Sequence, residues 1–337
     1  MKVLVTGAAG FIGFHTVNQL LLDGFEVIGL DNINDYYSPQ LKYARLKKAG
    51  IDQDDIRWYH PTQSSSSSSY RFIRMNLEDK QQLFSLFQSE NFDYVINLAA
   101  QAGVRYSIEN PDVYVQSNIV GFHYILEACR YFPVKHLVHA SSSSVYGANA
   151  KIPFSEDDKV DSPVSLYAAT KKSNELMAHA YSHLYDIPVT CLRFFTVYGP
   201  WGRPDMAPML FAKAISDSKP IKVFNNGDMQ RDFTYVGDIV NGVIKTTLTD
   251  FDISPKYRVL NIGNGSPVNL MEFISELETG LGKPALKNYM PMQPGDVPKT
   301  WADQNQLEKI TGYKTEMTLQ KGLNKFATWY KSHFNTI

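Results

Sequence analysis

Cysteine is scarce in this 337-residue chain: only Cys129 and Cys191 occur, both inside apolar stretches and without a C-x-x-C spacing. A disulfide-built scaffold and a cysteine metal centre are thereby excluded, and two small buried hydrophobes in a reducing compartment are the simplest reading. Excess charge of either sign is also missing. Lys and Arg number 33 against 34 Asp and Glu, a net charge of −1, which leaves no electrostatic footprint for nucleic acid or for an anionic membrane surface. No apolar run reaches the ~20 residues of a membrane span, and residues 1–30 carry neither a basic leader nor a cleavage pattern. The chain therefore reads as cytoplasmic, with no nucleic acid and no membrane as partner. His179 and His183 lie one helical turn apart but lack a third ligand, and His136 and His139 point to opposite faces if their segment is a strand, so no metal is expected. No internal repeat is present. The one low-complexity stretch, Ser64 to Ser69, has nothing apolar to bury and reads as a solvated loop tip without a role.

Against these absences stands a glycine pattern. Gly7, Gly10 and Gly13 lie between a β-type run (Val3, Leu4, Val5) and a helical run over 14–22. This is the opening of a nucleotide-binding βαβ unit: Gly7 allows a sharp turn, Gly10 a close approach of backbone to a pyrophosphate, and Gly13 tight packing of helix on strand. The helix N-terminus adds N–H donors and a positive dipole end. A second strand, over 26–30, ends in Asp31, at about the separation where an acidic residue meets an adenosine ribose. Its carboxylate accepts from two hydroxyls and repels a 2′-phosphate, which favours NAD over NADP. Phe11, Ile12 and Asn32 beside these residues join the expected cofactor contacts. So do Leu77 and the small-residue strand end Leu98, Ala99, Ala100, which leaves room for a flat cofactor.

Along the rest of the chain strands and helices alternate, with helices expected over 41–48, 77–88, 111–131 and 165–185 and strands over 71–75, 94–100, 136–140 and 189–194. Alternation predicts an α/β fold, a Rossmann-type doubly wound parallel sheet. Past Tyr198 glycine and proline crowd together, and a smaller C-terminal α/β substrate lobe is expected. The division is 1–195 for the NAD-binding domain, with about 232–248 returning to it, and 196–337 mainly for the substrate lobe.

Tyr167-Ala-Ala-Thr-Lys171 is the sharpest chemical signal after the glycines. A spacing of four places phenol and ammonium on one helix face. A lysine cation and a positive nicotinamide ring both favour the phenolate, which predicts a Tyr167 pKa lowered towards working pH, as a general base needs. Ser142, 25 residues earlier at a strand mouth, can relay a proton to that base. Ser143 is a second candidate for this role, while Ser141 and Ser144 read as a polar strand end making turns.

The glycine pattern, the Ser142 and Tyr167-x-x-x-Lys171 set and the fragment Val145-Tyr146-Gly147 together resemble the extended short-chain dehydrogenase/reductase family. Within it the chain most resembles nucleotide-sugar 4-epimerases. The likeness to UDP-glucuronate 4-epimerases comes through Arg193-Phe-Phe-Thr196-Val-Tyr-Gly-Pro200 and Arg203-Pro-Asp-Met-Ala207. The resemblance implies C4 oxidation of a UDP-sugar with Tyr167 as base, rotation of the 4-keto sugar and re-reduction, with NAD kept bound throughout. It also implies that Lys171 holds the nicotinamide ribose, Thr196 lies near the hexose, Arg231 neutralises the UDP pyrophosphate and Asp296 meets the uridine ribose. Asn76 stands where the family commonly has Asp against the adenine amine, and its oxygen can accept there. For a uronate carboxylate the natural partner is Arg203, with two parallel N–H bonds. A homodimer through a four-helix bundle of the 111–131 and 165–185 helices is implied as well.

Rival readings are a UDP-hexose or UDP-N-acetylhexosamine 4-epimerase, a related dehydratase or decarboxylase, and a non-catalytic NAD-binding regulator. Ser143 and Ser144 occupy the positions where dehydratases of this kind carry an Asp-Glu pair and decarboxylases a Glu, so the acid for elimination is missing. Retention of Ser142, Tyr167 and Lys171 argues against the regulator.

Overall fold

The structure is a computed structural model and describes residues 1–251, 253–292 and 297–334. Eight short runs form one sheet: β1 (Lys2–Thr6), β2 (Glu26–Asp31), β3 (Pro61–Gln63), β4 (Tyr70–Arg74), β5 (Tyr94–Asn97), β6 (His136–Ser142), β7 (Val189–Phe194) and β8 (Tyr257–Ile262). Their order is β8-β7-β6-β5-β1-β2-β4-β3. Every pairing is parallel except that of β3 with β4. The order steps outward from β1 in both directions, and this reversal opens a crevice at the carboxyl ends of β1 and β5.

Alternation along each strand divides the core between the two faces. Val3, Val5, Val27 and Val138 pack against the Phe11–Leu22 and Val236–Leu248 helices through Phe14, Val17, Val240 and Val243. Leu4, Ile28, Val95 and Leu137 face the other way, onto Leu83, Phe87, Phe122, Ile125 and Ala178. A third cluster, with Phe211, Phe233, Phe273, Leu323 and Phe326, gathers the Ala207–Ser216, Leu270–Leu281 and Leu319–Phe334 helices around small two- and three-stranded sheets. Among the described residues no helix is long and apolar enough to cross a membrane.

Several elements depart from the sequence expectation. The helix expected from Leu77 begins at Lys80, because Asn76 to Asp79 closes a turn first. β6 runs on through Ser142, since Ser141 and Ser142 pair in register with Arg193 and Phe194 of β7. β3 was not foreseen, and β8 comes from the stretch assigned to the smaller lobe. The Ser64 to Ser69 run is not wholly solvated: Ser64 is buried, donates to the Ala49 carbonyl at 2.8 Å and accepts the amides of Ser66 and Ser67. A hydroxyl that saturates its own turn can be buried at little cost.

Candidate active site

Gly7 adopts φ +71°, a conformation open to glycine, and a Cβ there would stand 2.9 Å from the Ala99 amide nitrogen. A Cβ on Gly13 would collide with the Gly7 carbonyl oxygen, so the helix lies against the turn as closely as glycine permits. Gly10 caps this helix with backbone alone. The cradle that a side chain would fill opens into a cavity lined by Gly7, Gly10, Phe11, Ile12, Gly13, Asp31, Asn32, Leu77, Leu98, Ala99 and Ala100. These are eleven of the twelve non-catalytic residues expected at the cofactor, and such a cleft, with helix N–H donors and an acidic strand end, fits a dinucleotide. Asn76 lies outside this lining, and its Oδ1 accepts from Asn32 at 3.2 Å, which leaves that oxygen a second lone pair.

Asp31 is buried. One oxygen accepts the Ala9 amide at 3.2 Å, the other accepts the Ile33 amide at 2.8 Å, and Lys42 Nζ stands 3.7 Å away. Lys42, Tyr36, Tyr37, Gln101 and Arg203 share the cavity wall and were not among the expected cofactor contacts. The helical register of Lys42 after Asp31 carries no signal of this, because the approach is tertiary.

The catalytic candidates sit on the Leu166–Tyr185 helix, whose N-cap Ser165 accepts from the Ala168 amide. Tyr167 and Lys171 do share a face, with Lys171 Nζ 6.0 Å from the Tyr167 ring centroid. The ammonium, however, donates to the Ala140 carbonyl at 2.7 Å. Burial brings the Lys171 pKa down to about 8. Burial also holds the Tyr167 phenol above its ordinary value, opposed by a hydrogen bond with Ser142 and by the positive charge of Arg203. At Tyr167 desolvation outweighs the protein's own favourable charges, and the nicotinamide cation of the expectation would add to the side of the phenolate. Ser142 is the serine that meets the phenol, and it also accepts the Ser144 amide at 3.2 Å.

Two buried arrangements that spacing did not reveal hold this helix in place. Glu175 receives Arg193 Nε at 2.8 Å, Arg193 Nη2 at 2.9 Å and the Ser141 hydroxyl at 2.7 Å. Asn118, in the π-helical turn Val115–Val120, bonds both backbone groups of Gln101 and donates to Thr170 at 3.0 Å. A π turn adds one residue and swings a side chain inward. It joins the cavity wall to the catalytic helix.

On the substrate side, the Nε and Nη2 edge of Arg203 is held by Asp205 at 3.1 and 2.5 Å, and Tyr36 donates to the same carboxylate at 3.0 Å. The fork expected for a uronate thus has an internal carboxylate on one edge. Thr196 opens the short strand Thr196–Tyr198, one residue past β7. Arg231 lies in Gln230–Arg231 and donates to the carbonyls of Gln230 and Pro298, both at 3.0 Å. Asp296 lies outside the described residues. Asp232, beside Arg231, is buried and accepts from Thr234, Asn264, Gly265 and Ala302, a knot that no sequence pattern announced. Among the described residues no cluster of His, Cys, Asp or Glu could hold a metal. His136 and His139 are instead satisfied inside the sheet's two faces, His136 against Thr190 and the Thr247 carbonyl, His139 between Asn97 and Asn174.

Comparison with known proteins agrees with this geometry. Residues 3–263 match the NAD dependent epimerase/dehydratase family. The chain is 51% identical to Protein CapI of Staphylococcus aureus, with 99% of each chain covered. It is 43% identical to a probable UDP-glucuronate 4-epimerase of Rhizobium meliloti, over 99% of this chain and 98% of the relative. A crystal structure of the UDP-glucuronic acid 4-epimerase of Bacillus cereus with UDP-glucuronic acid and NAD superposes with a TM-score of 0.88 at 34% identity, covering 99% of this chain and 100% of that one. Fold, glycine cradle and relatives converge, and this chain belongs to the NAD dependent epimerase/dehydratase family as an NAD-dependent nucleotide-sugar 4-epimerase.

Proposed function

We propose that the enzyme interconverts UDP-glucuronate and UDP-galacturonate. The observation that carries this reading is a fixed guanidinium, Arg203, in the cavity wall and close enough for its charge to act on Tyr167. A hexose without a carboxylate has no use for that cation, whereas a uronate meets it with charge and shape. Asp205 occupies the Nε and Nη2 edge, so the substrate carboxylate approaches Arg203 from its Nη1 side.

NAD in the cleft supplies the acceptor and donor of the C4 hydride. Tyr167 takes the proton of the C4 hydroxyl and returns it to O4 once the 4-keto sugar has turned its opposite face to the hydride, Ser142 steadies the phenolic oxygen with Ser143 as the second candidate, and Lys171 holds the nicotinamide ribose. Gly7, Gly10, Phe11, Ile12, Gly13, Asp31, Asn32, Leu77, Leu98, Ala99 and Ala100 bind the cofactor, with Asn76 at the adenine rim. Thr196 bounds the hexose, Arg231 meets the UDP pyrophosphate and Asp296 the uridine ribose. The division into 1–195 with 232–248, and 196–337, separates these two tasks. Because Ser143 and Ser144 supply no acid for elimination, C4 inversion is favoured over decarboxylation.

We place the enzyme in the cytoplasm as a homodimer joined by a four-helix bundle. Its two buried free cysteines suit a reducing compartment. Leu176 and Leu184 on the Leu166–Tyr185 helix are 60% and 65% exposed, with Tyr131 and Tyr185 nearby in the same pair of helices, an apolar face that a second copy covers. A monomer mass by sedimentation at micromolar concentration contradicts the dimer. For the substrate, the test is Arg203→Ala: loss of turnover on UDP-glucuronate, or release of CO₂ from an unrestrained β-keto acid, is expected, and unchanged kinetics overturns the assignment.

A further inference from the structure

Arg45 is completely buried, in the Gln40–Lys48 helix. All of its donors are used, yet none meets a carboxylate. Nε and Nη2 donate to the Trp201 carbonyl at 3.2 and 2.7 Å, Nη2 also to the Gly202 carbonyl at 3.3 Å, and Nη1 to the Ala9 carbonyl and the Tyr37 hydroxyl, both at 2.9 Å. Among the described residues it forms no ion pair. The titratable groups that feel its charge, His15 and His333, are held below their ordinary pKa by burial and by Arg45 itself, so they offer no counter-charge. Asp31 binds the amide end of the same Ala9 residue, but Lys42 already stands beside that carboxylate.

A buried cation with saturated hydrogen bonds and no counter-charge is costly, and an anionic ligand bound close by offsets that cost. The anion here is the diphosphate of NAD. It belongs on the glycine turn that contains Ala9, between Gly7 and Gly10. We propose that Arg45 is a positioning residue for the cofactor. Its charge answers the NAD diphosphate across the Ala9 peptide, while its fork fixes the carbonyls of Trp201 and Gly202. Trp201 holds φ +63°, an unfavourable conformation for a residue with a side chain, and these two bonds keep it there. One side chain thus ties cofactor retention to the segment that leads into Arg203.

The test uses two substitutions of the NAD-loaded enzyme. R45Q keeps amide donors and loses the charge; R45K keeps the charge and loses the fork. Release of bound NAD is followed by exchange into excess fluorescent etheno-NAD, together with the NAD content per purified chain. R45Q is expected to release NAD at least tenfold faster than wild type and to purify with less than half of its NAD, while R45K stays within about threefold in release rate. R45Q at the wild-type rate, or equal losses in both variants, overturns the proposal, since a purely structural arginine does not distinguish charge from fork. Failure of both to fold overturns it too, because packing rather than charge is then what the position requires.

Discussion

Removing the charge of Glu175 exposes what holds the catalytic helix. The Glu175 carboxylate is 1% exposed and the Arg193 side chain 3%, with two charge-assisted bonds between them and a third from Ser141. In Glu175→Gln the amide retains one acceptor oxygen and turns an NH₂ group towards N–H donors, so Arg193 remains buried without its counter-charge. Breaking a buried pair from one side costs about 3–5 kcal/mol, a large share of the ~5–15 kcal/mol that folded proteins have. Urea unfolding followed by circular dichroism measures this, provided the slope with denaturant is unchanged. Because Glu175 lies one turn beyond Lys171, turnover should fall as well. Burial alone would raise the Glu175 carboxyl, but the bonds from Arg193 and Ser141 outweigh it and hold the group below 4.5. A carboxyl depressed in the fold stabilises fully above its unfolded value and loses that stabilisation as pH falls through the folded one. The wild type therefore weakens below about pH 4.5, and the variant lacks that limb. A loss under 1 kcal/mol at neutral pH refutes the reasoning.

Other consequences follow from the same geometry. Tyr167→Phe removes the proton acceptor, and kcat should drop about 10²–10⁴-fold, the usual weight of a general base, with NAD content unchanged; full activity contradicts the role. Lys171→Met should raise the melting temperature of the protein while abolishing epimerisation, because burial already drives the ammonium pKa down to about 8 and the fold is relieved of a disfavoured charge; a lower melting temperature contradicts this. Gly13→Ala places a methyl against the Gly7 carbonyl, so NAD should be lost on purification, as absorbance of the released cofactor will show. Asp232→Asn turns an amide towards the donors of Asn264, Gly265 and Ala302, and thermal unfolding should shift down with the main-sheet signal least affected.

Much of the sheet was legible because β1, β2, β5 and β7 are short, mainly apolar runs between polar turns, the pattern of parallel strands buried on both faces. β3 escaped because Pro61, Thr62 and Gln63 carry no apolar alternation and pair only as a hairpin edge. β8 escaped because its neighbourhood is punctuated by glycine and proline, while its partner β7 lies far earlier in the chain. The Tyr167 and Lys171 pair was readable since a helix places residues four apart on one face. Which charge acts on the tyrosine was not: Arg203 arrives from a later loop and Lys171 turns to the Ala140 carbonyl. Arg45, Lys42 and Tyr36 owe their placement to contacts across the fold, so neither period nor composition marks them. Ser64 shows the converse, a low-complexity residue whose hydroxyl finds a buried partner in the Ala49 carbonyl.

The central claim is inversion at C4 of a uronic acid bound through UDP. Its most direct test is ¹H NMR of the purified enzyme with UDP-glucuronate and no added cofactor. The account predicts UDP-galacturonate accumulating to an equilibrium mixture, with no UDP-pentose and no net NADH. A spectrum dominated by UDP-pentose, or an unchanged substrate in the presence of bound NAD, contradicts it.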